Sequence, residues 1–156
     1  MTYTITTSSP AASSKLGERI GALLRGGEII ELAGDLGGGK TTLTSGLARG
    51  LGYSGEVTSP TFTLNHIYDL PDGRQLHHFD FYRLEPGDVA ASQLAESAGR
   101  SDVITVVEWA GNAGAALPQE RLTLKLDATG VTTRDITIEG SDRYASLIEA
   151  LRGSDT

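Results

Sequence analysis

With 156 residues, 38% of them hydrophobic and 21% charged, the chain is long enough to bury one core and short for two, so a single domain over 1–156 is expected. No apolar run nears the length of a membrane span. The N-terminal MTYTITTSSPAASSK carries neither a basic nor an apolar signal segment, and zero cysteines remove disulfides and thiolate metal sites, so a cytoplasmic protein is expected. A net charge of -7 argues against a direct nucleic-acid reader, whose affinity rests on clustered Lys and Arg neutralising phosphates, and leaves room for a basic or mixed protein partner.

In chain order, Thr2 to Thr7 alternates weakly as a short strand. Ser9 and Pro10 then offer an N-cap and a first-turn proline for a helix to about Leu24, closed by Gly26 and Gly27. EIIELA (28–33) reads as a buried strand, and Leu43, Leu47 and Leu51 give one face of a helix that starts at Lys40. TFTLNHIYDL, the turn PDGR and QLHHFDFYRL predict an antiparallel pair of strands. A short helix over 87–98 leads to DVITVVEW, a β-branched run typical of a central strand. RLTLKLDA and TTRDITIE predict a hairpin around Thr129 and Gly130, and a helix over 141–151 ends the pattern. The expected class is α/β, a P-loop NTPase-like mixed sheet with helices on both faces, antiparallel strands and a late β-hairpin.

Between the strand at 28–33 and the helix from Lys40 lies GDLGGGKTT, residues 34–42. Its spacing is G-x-x-x-x-G-K-[ST], the P-loop pattern, and each part has a physical task. Glycines let the backbone N–H groups of Asp35, Leu36, Gly37, Gly38 and Gly39 turn inward around phosphate oxygens. Lys40 supplies a point charge for the β and γ phosphates, and the Thr41 hydroxyl a Mg²⁺ ligand, with Thr42 beside it at the positive end of the helix. A flexible linker would not sit between two patterned core elements. The motif does not say what happens to the phosphate, because kinases, ATPases and switch GTPases share it.

Further polar residues could complete a site. Period-two geometry puts Leu76, His78, Asp80 and Tyr82 on one face and His77, Phe79 and Phe81 on the other, so Asp80 sits in a partly buried strand and needs a partner, either Arg83 or a metal and water network. Glu108 ends an apolar strand, where sheets of this class point at their ligand; a solvated strand-end Glu is the plainer alternative. Trp109 reads on sequence grounds as core. Thr58, Ser59 and Thr61 could form a loop that responds to the γ phosphate, although Ser and Thr around a proline also simply make turns. The three histidines lack metal-ligand spacing, and no guanine-reading motif is present.

Taken together, GDLGGGKTT, VTSPTFTL, HHFDFYRL and VVEW, in that order over residues 34–109, resemble the TsaE (YjeE) family of bacterial ATPases needed for threonylcarbamoyladenosine modification of tRNA. LGERI near the start and the late hairpin extend the likeness. The resemblance implies an ATP and Mg²⁺ site in which Lys40 contacts the phosphates, Thr41 and Glu108 hold the metal, and Asp80 is catalytic or positions water. It implies a switch-loop role for Thr61, a functional role for Trp109 beside the acidic ligand, and nucleotide contact for Arg134. It further implies TsaB and TsaD as partners, with TsaD carrying out transfer to adenosine 37 of tRNA while ATP turnover supports repeated cycles; tRNA would then be met only through the partners. Gly38 stands where many members have alanine, and PGDVAASQLAESAGR lacks the acidic, leucine-rich pattern common there. Two other functions share the loop: a small-molecule P-loop kinase using Asp80 as base, and a nucleotide-binding switch without turnover.

Overall fold

The computed structural model describes residues 1–34, 39–58, 65–82, 89–109 and 117–153. Their elements run β1 (Thr2–Thr7), α1 (Pro10–Leu23), β2 (Ile29–Ala33), α2 (Lys40–Gly50), β3 (Asn65–Asp69), β4 (Gln75–Asp80), α3 (Val89–Ser97), β5 (Val103–Glu108), β6 (Leu122–Ala128), β7 (Arg134–Gly140), a 3-10 turn (Asp142–Tyr144) and α4 (Ala145–Gly153). The seven strands form one sheet in the order β1-β7-β6-β2-β5-β4-β3. The inner pairs β6–β2, β2–β5 and β5–β4 are parallel, and the antiparallel pairs β1–β7, β6–β7 and β3–β4 finish the two sides.

The expected class is therefore the observed one, a mixed sheet flanked by helices, and the local chemistry follows the sequence signals. Ser9 caps α1 by accepting from the Ala12 N–H at 3.1 Å, with Pro10 in the first turn. All six residues of β5 are buried, as a strand covered on both faces requires. The β6–β7 hairpin and the β3–β4 pair form as the turn residues indicate.

The two faces are unequal. On one, α1, α2 and α4 cover the main core, in which Ile20, Leu43, Leu47, Ile148 and Leu151 pack on Ile30, Leu32, Leu76, Ile104, Val106, Leu124 and Ile138. On the other, Leu94 of α3 packs on a smaller cluster of Phe79, Phe81 and Val107. The half of that face formed by β1, β7 and β6 carries polar side chains instead, including the pairs Thr4–Thr137 and Thr6–Asp135 and, on β2, the ion pair Arg121–Glu31 at 2.8 Å. Helices thus lie on both faces, and among the described residues the helix on the second face, α3, covers the β4–β5 side. The helix expected over 87–98 is seen as Val89–Ser97, its first two positions lying outside the described residues.

Helix α2, which leads out of the glycine loop, is held by backbone contact with α1. A Cβ on Gly17 or Gly21 would run into the carbonyls of Leu43 and Leu47, and one on Gly46 or Gly50 into those of Ser14 and Glu18. The two helices meet so closely that only glycine fits at the crossing. Gly46→Ala should therefore destabilise the protein by about 1–3 kcal/mol, the usual range for overpacking. Gly153→Ala, where an added Cβ meets nothing within 4 Å, should leave the denaturation midpoint essentially unchanged. Equal urea midpoints for the two variants would refute the close packing.

Candidate nucleotide site

The parallel register decides which residues meet. β2 pairs Leu32 with Glu108, and β4 pairs Asp80 with Glu108, so three strands end together and two carboxylates stand side by side at their C-terminal edge. The chain leaves β2 through Gly34, whose φ of 139° and contact with β6 suit glycine: a Cβ there would lie 2.5 Å from the Leu126 carbonyl oxygen. It enters α2 through Gly39 at φ 95°, whose carbonyl accepts the first helical bond from the Leu43 N–H at 3.0 Å. Asp35, Leu36, Gly37 and Gly38 lie outside the described residues, as do Thr61, Ser59 and Arg83.

Lys40 is buried, with only 6% of its surface exposed, yet its ammonium has three distinct neighbours. Nζ donates to the Gly34 carbonyl at 3.0 Å, faces Glu108 Oε1 at 3.8 Å and sits 4.2 Å from the centroid of the Trp109 ring. The carbonyl closes the glycine loop at its base, while the carboxylate and the indole face stabilise the positive charge away from water.

Glu108 is 3% exposed, so its reading as a solvated strand-end residue fails. Its second oxygen, Oε2, lies 2.6 Å from His78 Nε2, and His78 is fully buried. Asp80 is half-buried and accepts at Oδ1 from the Tyr82 N–H at 3.0 Å. Arg83, one of the partners expected for Asp80, lies outside the described residues. Burial raises the Asp80 carboxyl above its ordinary range, the Tyr82 N–H opposes this, and the negative Glu108 adds to the rise against lowering by His78 and Lys40.

Trp109 is not ordinary core. Among the described residues it is the one non-glycine residue with positive φ, at 58°, a region that costs a bulky side chain about 1–3 kcal/mol. The left-handed step after Glu108 swings the indole to the edge of the sheet, where it packs against the smaller cluster, lies tilted against Tyr82 with ring centroids 5.0 Å apart and receives Lys40. Thr41 is exposed on the first turn of α2 and Thr42 half-buried behind it. Arg134, at the start of β7, places Nε 3.9 Å from the position a Gly39 Cβ would take, so the late hairpin does bring it beside the loop. Its Nη1 meanwhile donates to the carbonyls of Thr133 at 2.8 Å and Gly130 at 3.1 Å, closing the hairpin tip. Thr58 is tied down: its N–H meets the Tyr68 hydroxyl at 3.3 Å, and that hydroxyl donates back to the Thr58 carbonyl at 3.2 Å.

Two contributors were missed in the sequence, His78 and Tyr82. The signal was available for both, since strand alternation already placed them on the Asp80 face, but alternation does not reveal that a neighbouring strand would present Glu108 to the histidine.

A parallel inner sheet with a glycine loop leading from a strand into a helix defines a P-loop NTPase-like fold. Over its whole length the chain superposes on the crystal structure of Bacillus subtilis YdiB with a TM-score of 0.80 and 33% identity, covering 100% of this chain and 97% of that one. The chain belongs to the TsaE family: residues 7–136 match the family model for threonylcarbamoyl adenosine biosynthesis protein TsaE. The tRNA threonylcarbamoyladenosine biosynthesis protein TsaE of Streptomyces coelicolor is 43% identical over 138 residues, covering 85% of this chain and 93% of that protein. Its counterpart from Bacillus subtilis is 37% identical over 153 residues, covering 96% and 93%. Among the described residues no helix is long and apolar enough to cross a membrane.

The raised Asp80 carboxyl has a consequence for the free protein. A native group that holds its proton more tightly than the unfolded chain adds stability at low pH, and that contribution is lost as pH rises through the window above the ordinary carboxylate value. Asp80→Asn, which keeps an acceptor for the Tyr82 N–H, should give a higher Tm than the parent at pH 7, with the gap closing towards pH 3. A gap of constant size from pH 3 to 7 in thermal melts would contradict it.

Proposed function

We propose that this protein is an Mg-ATP-dependent ATPase that supports threonylcarbamoyladenosine modification of tRNA, working in complex with TsaB and TsaD. The observation that carries the reading is the convergence of Lys40, Glu108 and Asp80 at the C-terminal edge of three parallel strands, where the glycine loop enters α2. Membership of the TsaE family supplies the pathway.

In this reading the loop from Asp35 to Gly39 and the first turn of α2, including Thr42, hold the phosphates through backbone N–H groups, and Lys40 turns from the Gly34 carbonyl to the β and γ oxygens. The donor set suits Mg²⁺: the described residues contain no cluster of three or more His, Cys, Asp or Glu side chains that could hold a metal alone. Thr41 and Glu108 instead offer one or two hard oxygens to an ion that keeps waters and shares phosphate. Once bound, that ion would neutralise charge on the β and γ phosphates. Asp80, two strand positions after His78 and directly beside Glu108, is placed to accept from or orient an attacking water. Trp109 and Arg134 border the loop and would touch the nucleotide, and Thr61 would sense its γ phosphate. The net charge of -7 fits an assembly in which TsaD and TsaB, not this chain, meet the tRNA and carry out transfer at adenosine 37.

ATP turnover by the purified protein should be slow alone and faster with cognate TsaB and TsaD. Lys40→Ala should weaken ATP binding at least about tenfold, the loss expected for a charge-assisted contact. Asp80→Asn should keep binding while lowering kcat by about a hundredfold or more. Phosphate release that never rises with the partner pair, together with full activity of Asp80→Asn, would overturn the assignment. A small-molecule kinase would instead consume ATP only with an added hydroxyl acceptor.

A further inference from the structure

Nothing in the proposed chemistry uses His78, yet it is the most completely buried polar side chain at the site. It shows no exposed surface, its Nε2 is 2.6 Å from Glu108 Oε2, and its Nδ1 has no hydrogen-bond partner among the described residues. With a carboxylate oxygen at 2.6 Å, Nε2 carries a proton and donates it to Glu108 Oε2. His78 sits within the sheet, opposite Val106 on β5 and opposite His66 on β3, and its ring is fully buried.

The two carboxylate oxygens of Glu108 therefore face different neighbours, Oε2 the imidazole of β4 and Oε1 the ammonium of Lys40 at 3.8 Å. A carboxylate at a strand end could rotate about its last torsion; one oxygen fixed to a buried ring leaves the other aimed at the loop. We propose that His78 is the positioning residue of the metal site, donating from Nε2 to Glu108 Oε2 so that Oε1 is presented to the cation. The inference rests on the assignment of Glu108 as a cation ligand. Partners of this kind hold the ligand's orientation and basicity, and their loss typically weakens metal binding about 10-fold to 100-fold.

Two neutral amides separate donor position from polarity. Gln at 78 can reach Oε2 from about the place of Nε2, whereas the shorter Asn leaves its donor near the place of Nδ1. Binding of ADP to His78→Gln, His78→Asn, Glu108→Gln and the parent would be followed by the fluorescence of the single tryptophan, first without metal and then against increasing Mg²⁺. Expected are Mg²⁺-free ADP affinities within about threefold of the parent for both His78 variants. The half-saturating Mg²⁺ should rise at least about 10-fold for His78→Asn and stay within about threefold for His78→Gln. Equal Mg²⁺ dependence of Asn, Gln and parent, with Glu108→Gln impaired, would overturn the role of His78 while sparing that of Glu108. An unchanged Mg²⁺ dependence of Glu108→Gln would overturn both. Loss of ADP affinity without metal in both His78 variants would mark a purely structural histidine and overturn the proposal.

Discussion

Everything at the C-terminal edge of the sheet depends on one buried ion pair, Lys40 with Glu108, and on what keeps its two charges in place. Burying a lysine and a glutamate costs several kcal/mol each unless their hydrogen-bonding capacity is met. Here the Gly34 carbonyl and the Trp109 face serve the ammonium, and His78 serves the carboxylate. At 3.8 Å the pair is close enough to stabilise both charges and too long for a direct hydrogen bond, so each group retains bonding capacity for another ligand. A site arranged in this way holds its charges ready without fully satisfying them.

The fold supplies the rigidity this requires. Parallel pairing fixes Glu108 between Leu32 and Asp80, and the glycine contact between α1 and α2 fixes the helix that carries Lys40. The left-handed backbone at Trp109 is the local cost of turning the chain directly after Glu108 so that the indole covers the lysine. The polar half of the second face, by contrast, is finished with threonines and charges that tolerate water.

Much of this was legible in advance because it is written in short-range chemistry. The cap at Ser9, the apolar stripe of α2, the β-branched run of β5 and the turn between β6 and β7 each follow from a few neighbouring residues. The glycine loop was legible because its spacing is itself the mechanism. Asp80 and Glu108 could be singled out one by one, but neither carries a local sign that they would be cross-strand neighbours. Composition alone favours burial of an indole and reads Trp109 as core, whereas the resemblance sets it beside the acidic ligand; its backbone angle and its contact with Lys40 depend on where the sheet ends.

By itself, then, the sequence determined the class of fold, the order of its elements and the loop that leads into α2, since periodicity, caps and turn residues act within a few positions of one another. Only the tertiary structure decided how Lys40, His78, Asp80, Glu108 and Trp109 meet, and that His78 joins them. The reason is register: β2, β4 and β5 come from distant parts of the chain, and a shift of one residue in their parallel pairing would turn Glu108 away from both Lys40 and His78. Contacts across such pairings belong to no segment alone, so no segment alone could disclose them.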